Sequence, residues 1–138
     1  MRVKANLAAS VTARLLNRAH ETGEDYQTLL SNFCFERFLH RLGRSAHRDR
    51  FVLKGAMLLR VWSDQPYRAT RDLDLLRRGD GSSEAIRHDL MSICAVSVEP
   101  DAVEFDANRA SRSAPRTSTP VHVQVCLRAV VRRDSSCR

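Results

Sequence analysis

No stretch of the 138 residues approaches the roughly 18 consecutive apolar residues that a membrane-spanning helix requires. The first ten residues, MRVKANLAAS, carry two positive charges but no continuous apolar segment. No secretory leader and no membrane partner are therefore expected, and the expected location is the cytoplasm. Cysteine is sparse and dispersed. Cys34, Cys94, Cys126 and Cys137 form no C-x-x-C pair and have no histidine at zinc-finger spacing, which argues against structural zinc or a disulfide framework. His20, His40, His47, His88 and His122 form neither H-x-x-x-H nor H-E-x-x-H, so a histidine-based metal site finds no support either. Aromatic residues make up only 6%, and Trp62 and the phenylalanines fall on apolar faces, where they are expected to be core rather than base-stacking platforms. Internal repeats are absent.

What remains is the composition of one globular domain, 43% apolar and 28% charged. The net charge of +7 is unevenly spread. Residues 1–50 hold nine Lys/Arg against five Asp/Glu, residues 51–106 seven against ten, and residues 107–138 seven against one. Basic ends around an acidic middle fit a protein that handles polyphosphates at a metal-binding centre, and they fit equally an ordinary solvated surface.

Leu7, Val11, Leu15 and Ala19 recur every four residues, which predicts an amphipathic helix over 6–22 ended by Gly23. Asp25 is placed to cap a second helix whose apolar face is Tyr26, Leu29, Leu30, Phe33, Phe38, Leu39 and Leu42, closed by Gly43. A polar connection at 44–50 leads to the short β-type run Phe51-Val52-Leu53, then Lys54-Gly55, then helical spacing at Met57, Leu58, Val61 and Trp62. Asp72-Leu73-Asp74-Leu75-Leu76 alternates as a strand. Ser82 or Ser83 can cap a further helix carrying Ile86, Leu90, Ile93 and Cys94. Val103 and Phe105 imply another strand, and 121–129 reads as one strand with Val121, Val123, Val125, Leu127 and Ala129 on a single face. The stretch 109–120 contains only Arg, Ala, Ser, Pro and Thr and is expected to be a disordered loop. The expected class is α+β: an N-terminal helical region (1–50), then a small mixed sheet (51–138).

Two aspartates in a leucine-rich strand call for an explanation, because aspartate is depleted in strands. Side chains at i and i+2 share a face, with Cα atoms roughly 6.5–7 Å apart. Asp72 and Asp74 can thus converge on one Mg²⁺ (or Mn²⁺), which favours carboxylate oxygens together with substrate phosphates and retained waters. The alternative is a solvated strand end with Arg71, Arg77 or Arg78 as salt partners. A glycine at the Lys54-Gly55-Ala56 junction allows backbone N–H groups to approach a phosphate, with Lys54 as a point charge. An ordinary tight turn with a solvated lysine is the alternative there. Together the two motifs supply a phosphate cradle beside a metal site, the parts that nucleotidyl transfer requires. Arg68 and Thr70, in the preceding loop, are candidates for phosphate or base contacts, with Asp64 as another partner for Arg68.

The segment FVLKGAMLLRVWSDQPYRATRDLDLL resembles the first motif of the AbiEii/AbiGii-type nucleotidyltransferase toxins, a branch of the DNA polymerase β-like nucleotidyltransferases. The matching positions are Lys54, Gly55, Arg68, Thr70, Asp72, Leu73 and Asp74, and the likeness extends over most of residues 1–108. It implies a nucleotidyltransferase fold, Asp72 and Asp74 as catalytic metal-binding carboxylates, a divalent cation and an NTP donor. It also implies an RNA acceptor such as tRNA, and an antitoxin partner. Family members carry a third aspartate on a later strand, and Asp134 lies in a polar tail without strand pattern. The chain is therefore expected to be C-terminally truncated, and a catalytically inactive remnant binding nucleic acid through its basic ends is the alternative function.

Overall fold

A computed structural model describes residues 7–62, 72–105, 121–125 and 129–131. Helix α1 (Leu7–Thr22) is the amphipathic helix expected; it buries Ala8 and packs on α2. Its end is set by Gly23, whose positive φ of 72° lets its N–H return to the Ala19 carbonyl. Helix α2 (Tyr26–Arg44) starts where Asp25 accepts a hydrogen bond from the Thr28 N–H at 3.0 Å. It runs through Gly43, one residue beyond the expected stop, and Ser45 caps it by bonding the Leu42 carbonyl. The buried stripe of α2 includes Phe35, which the expected face omits, together with Leu29, Phe38 and Leu42.

A 3₁₀ turn (Arg48–Arg50) leads into β1 (Phe51–Lys54), followed by α3 (Ala56–Trp62) and β2 (Leu73–Arg77). Helix α4 (Ser83–Cys94) is capped by Ser82, which accepts from the Ala85 N–H at 3.2 Å. Strands β3 (Val103–Phe105), β4 (Val121–Val125) and β5 (Ala129–Val131) complete the described elements. Strand β2 is central in a sheet of order β1-β2-β4, and β3 pairs with β5 separately. The class is α+β, as expected. Two details differ. Every described pairing is antiparallel, in place of the expected mixed sheet, because alternation identifies a strand without giving its direction. The single strand expected at 121–129 is two strands in two sheets; Leu127 and the loop at 109–120 lie outside the described residues.

Burial follows the pleat of the sheet. Leu73 and Leu75 of β2, Val123 and Val125 of β4 and Phe51 of β1 face one way. They meet Phe35, Phe38 and Leu42 of α2, Ile86, Leu90 and Ile93 of α4, and Met57 of α3. Each such side chain contributes roughly 1.5–3 kcal/mol by leaving water. Beside this core, Asp101 ties the approach to β3 onto α2. It accepts from Arg37 Nε at 2.7 Å and from Arg41 Nη1 and Nη2 at 2.9 and 3.1 Å. The Arg41 guanidinium also lies 4.9 Å from the centre of the Phe105 ring.

Candidate active site

Strand β2 carries the two aspartates, and its leucines decide where they point. Leu73, Leu75 and Arg77 are buried, and Asp72, Asp74 and Leu76 between them are half-buried. Committing Leu73 and Leu75 to the core therefore turns Asp72 and Asp74 to the opposite side, on one face. Asp72 stands one residue before β2 rather than within it.

The antiparallel direction of β1 and β2 brings the second motif to the first. Register pairs Lys54 with Asp74, then Leu53 with Leu75, Val52 with Leu76 and Phe51 with Arg77. The end of β1 thus lies beside the start of β2. A parallel pairing would have set Lys54 nearer Arg77 instead. Immediately after Lys54, Gly55 has a φ of 76°, in the left-handed region that favours glycine. A Cβ built on Gly55 would stand 2.7 Å from Asp74 Oδ2 and 3.3 Å from Asp74 Cβ. The turn is shaped around the Asp74 carboxylate, so glycine is required there for space as well as for conformation. The Gly55 carbonyl then accepts the Leu59 N–H at 3.3 Å, and the chain enters α3 with Ala56 as its first residue.

Of the residues expected at the site, Lys54, Gly55 and Asp74 come together, Asp72 lies two residues from Asp74 on the same side, and Ala56 follows the turn. Arg68 and Thr70 lie outside the described residues. Arg77 is not a salt partner of the aspartates. It lies on the core face, 2% exposed, where Nε and Nη2 donate to Asp89 Oδ2 of α4 at 3.0 and 2.7 Å. Burial pushes the Asp89 carboxyl up. The Arg77 hydrogen bonds and charge, with His47 and Arg50 nearby, more than reverse that and hold it below the usual carboxylate range. This pair is legible in part from sequence: Arg77 continues the buried positions 73 and 75, and Asp89 falls on the α4 stripe of Ile86, Leu90 and Ile93.

The pair Asp72 and Asp74 fits a Mg²⁺-type ion. Among the described residues no group of three or more His, Cys, Asp or Glu gathers as a self-sufficient metal cage. Mg²⁺ needs none, because it binds through one or two carboxylates and completes its shell with water and substrate phosphates. Among the described residues, no helix is long and apolar enough to cross a membrane.

Comparison with known proteins gives a family. The family model described as the nucleotidyl transferase AbiEii toxin of a type IV toxin–antitoxin system matches residues 37–134. The matched stretch begins inside α2 and runs through β5, starting later and reaching further than the likeness read over 1–108. No curated protein and no solved structure matches the chain significantly. With the Lys54-Gly55 turn and both aspartates inside a match that covers well over half of its length, the chain belongs to the AbiEii nucleotidyl transferase toxin family.

Proposed function

We propose that the chain transfers a nucleoside monophosphate from an NTP to an RNA acceptor such as tRNA, with Asp72 and Asp74 as its metal-holding carboxylates. The observation that carries this reading is the seating of the Gly55 turn on the Asp74 carboxylate, with Lys54 opposite Asp74 in the sheet. In the reaction, an acceptor hydroxyl oxygen bonds to the α-phosphorus, the bond to the β-phosphate oxygen breaks, pyrophosphate leaves and the hydroxyl proton passes to water. A bound Mg²⁺ or Mn²⁺ supplies charge neutralisation at the phosphates and acidifies the attacking hydroxyl. Asp72 and Asp74 hold that ion on the face opposite the leucine core. Lys54 offers a point charge to the phosphates, and the Cβ-free Gly55 lets the Asp74 carboxylate stand against the turn that leads into Ala56, whose backbone N–H faces the same phosphates in this reading. Arg68 and Thr70 add contacts to phosphate or base. A cytoplasmic location and an antitoxin partner complete the proposal.

Incubating the chain with each labelled NTP, total tRNA and Mg²⁺ tests it directly. Label should enter RNA, and Asp72→Asn or Asp74→Asn should reduce incorporation by orders of magnitude. Robust incorporation by the doubly substituted chain would refute the site. An RNA affinity indifferent to nucleotide, with no transfer by the wild type, would leave a nucleic-acid-binding protein rather than an enzyme.

A further inference from the structure

At the end of the β1–β2 pair away from Asp74, arginine and histidine side chains from three parts of the chain gather around one buried carboxylate. Asp89 Oδ2 is taken by Arg77. Its Oδ1 is approached by His47 Nδ1 at 3.5 Å, Arg50 Nη1 at 3.6 Å and His88 Nδ1 at 3.8 Å. Arg50 also receives the Arg78 N–H on its carbonyl at 2.8 Å, extending the ladder one step past Phe51 and Arg77. The single charge of Asp89 faces two guanidinium groups, those of Arg77 and Arg50. Arg48, Arg50 and His88 keep 67%, 54% and 78% of their side chains exposed, and Arg78 is exposed beside them. The exposed carboxylates on the flanking segments are Asp49, 3.6 Å from Arg48, Asp80, which accepts from Ser82, and Glu84 in the first turn of α4.

We propose that the Arg48, Arg50 and Arg78 rim binds the phosphodiester backbone of the acceptor RNA, upstream of the nucleotide being modified. The inference rests on the transfer reading above and adds to it where the acceptor lies. From the Lys54–Asp74 pair to the Arg50–Arg78 bond is four ladder steps, roughly 13 Å at the rise of a strand. A stacked strand sets a phosphate every roughly 3.4 Å along its axis, so about four nucleotides cover that distance. An acceptor whose end reaches Asp74 therefore has backbone to offer the rim. Guanidinium forks bind phosphate and carboxylate oxygens alike, so the regular spacing of phosphates along a strand is what favours RNA over the scattered carboxylates of an acidic protein.

The test titrates fluorescent tRNA with the full chain over about 50–200 mM salt, the range in which binding to phosphates responds most to ionic strength. A triple Arg48→Ala, Arg50→Ala, Arg78→Ala variant should bind about tenfold or more weakly. Its slope of log K against log salt should flatten by about 2–3, near one for each phosphate no longer neutralised. Thermal stabilisation by Mg²⁺ and NTP should be unchanged, and the KM for tRNA should rise with kcat retained. Should the triple variant unfold, Arg48→Glu with Arg78→Glu serves, both side chains being exposed. Wild-type affinity and slope in the folded variants would overturn the proposal. So would retention of tRNA binding with loss of polyglutamate binding, which would assign the rim to an acidic protein. If the wild type transfers no label, the transfer reading fails while the titration still decides the rim.

Discussion

The carboxylate of Asp74 fills the space in which a side chain at Gly55 would begin, with Oδ2 2.7 Å from the position of that Cβ. Two separate demands therefore fall on residue 55. The left-handed φ costs an L-residue roughly 1–2 kcal/mol, and the added methyl must also displace the Asp74 carboxylate. Gly55→Ala is expected to lower the melting temperature and abolish Mg²⁺-dependent nucleotide binding. In an Asp74→Ala background the same change should cost less stability, because only the conformational part and a lighter contact with the residue 74 Cβ remain. A thermal double-mutant cycle reads the difference, and additivity would show that the two residues do not compete for space.

The aspartate pair makes a second prediction. Mg²⁺ or Mn²⁺ should raise the melting temperature by mass action on the folded state. Asp72→Asn with Asp74→Asn should remove that rise without unfolding the chain, since both side chains lie opposite the leucine core. Differential scanning fluorimetry with and without metal decides it. An undiminished rise in the double variant would put the metal elsewhere.

Local signals carry well from sequence to structure. The Asp25 and Ser82 caps bond N–H groups three residues ahead, so both helix starts can be read from a few neighbouring residues. The leucine alternation fixes the side of the sheet on which Asp72 and Asp74 lie. Long-range facts carry poorly. Alternation at 121–129 continues through residues that belong to different sheets, so pattern alone cannot divide them. Nor can it set the direction of β1 against β2, on which the meeting of Gly55 and Asp74 depends. Arg77 is misleading in sequence because its charge outweighs its place in the Leu73, Leu75 series. Its partner Asp89 is twelve residues away and visible only as an interruption of the apolar stripe on α4.

The described cysteines give a third prediction. Burial pushes the Cys34 thiol up to about 11, with the Asp101 charge adding to it. Burial likewise takes Cys94 to about 11 against the opposing charge of Arg41. Both are protonated at neutral pH and should resist iodoacetamide in the folded chain, reacting only after denaturation. Peptide mass spectrometry after a timed alkylation reads this. Rapid labelling of Cys34 at neutral pH would show that its helix opens far more readily than the packing of α2 implies.

The last prediction concerns acid. Arg77 and Asp89 are both 2% exposed, and each is the other's principal charge partner. Replacing one member of such a pair leaves a buried charge without its counterion, at a cost of roughly 3–5 kcal/mol. Asp89→Asn should therefore destabilise strongly, whereas Asp89→Asn with Arg77→Met should recover much of the loss. The sign with pH follows from the folded state. Asp89 is held below its ordinary value; so is Asp101, where burial pushes up and the Arg41 and Arg37 hydrogen bonds more than compensate. A depressed carboxyl contributes stability above its unfolded pKa of roughly 3.9, and loses it as pH falls through the lower folded value. The wild type should thus lose stability steeply below about pH 4. In the Asp89→Asn, Arg77→Met chain the loss should be shallower, since Asp101 alone of these two carboxylates remains to titrate. Urea midpoints followed from neutral pH down through the acid range measure both slopes. Equal acid slopes in the two chains would mean that the Asp89 carboxylate is not held in its charged form by Arg77.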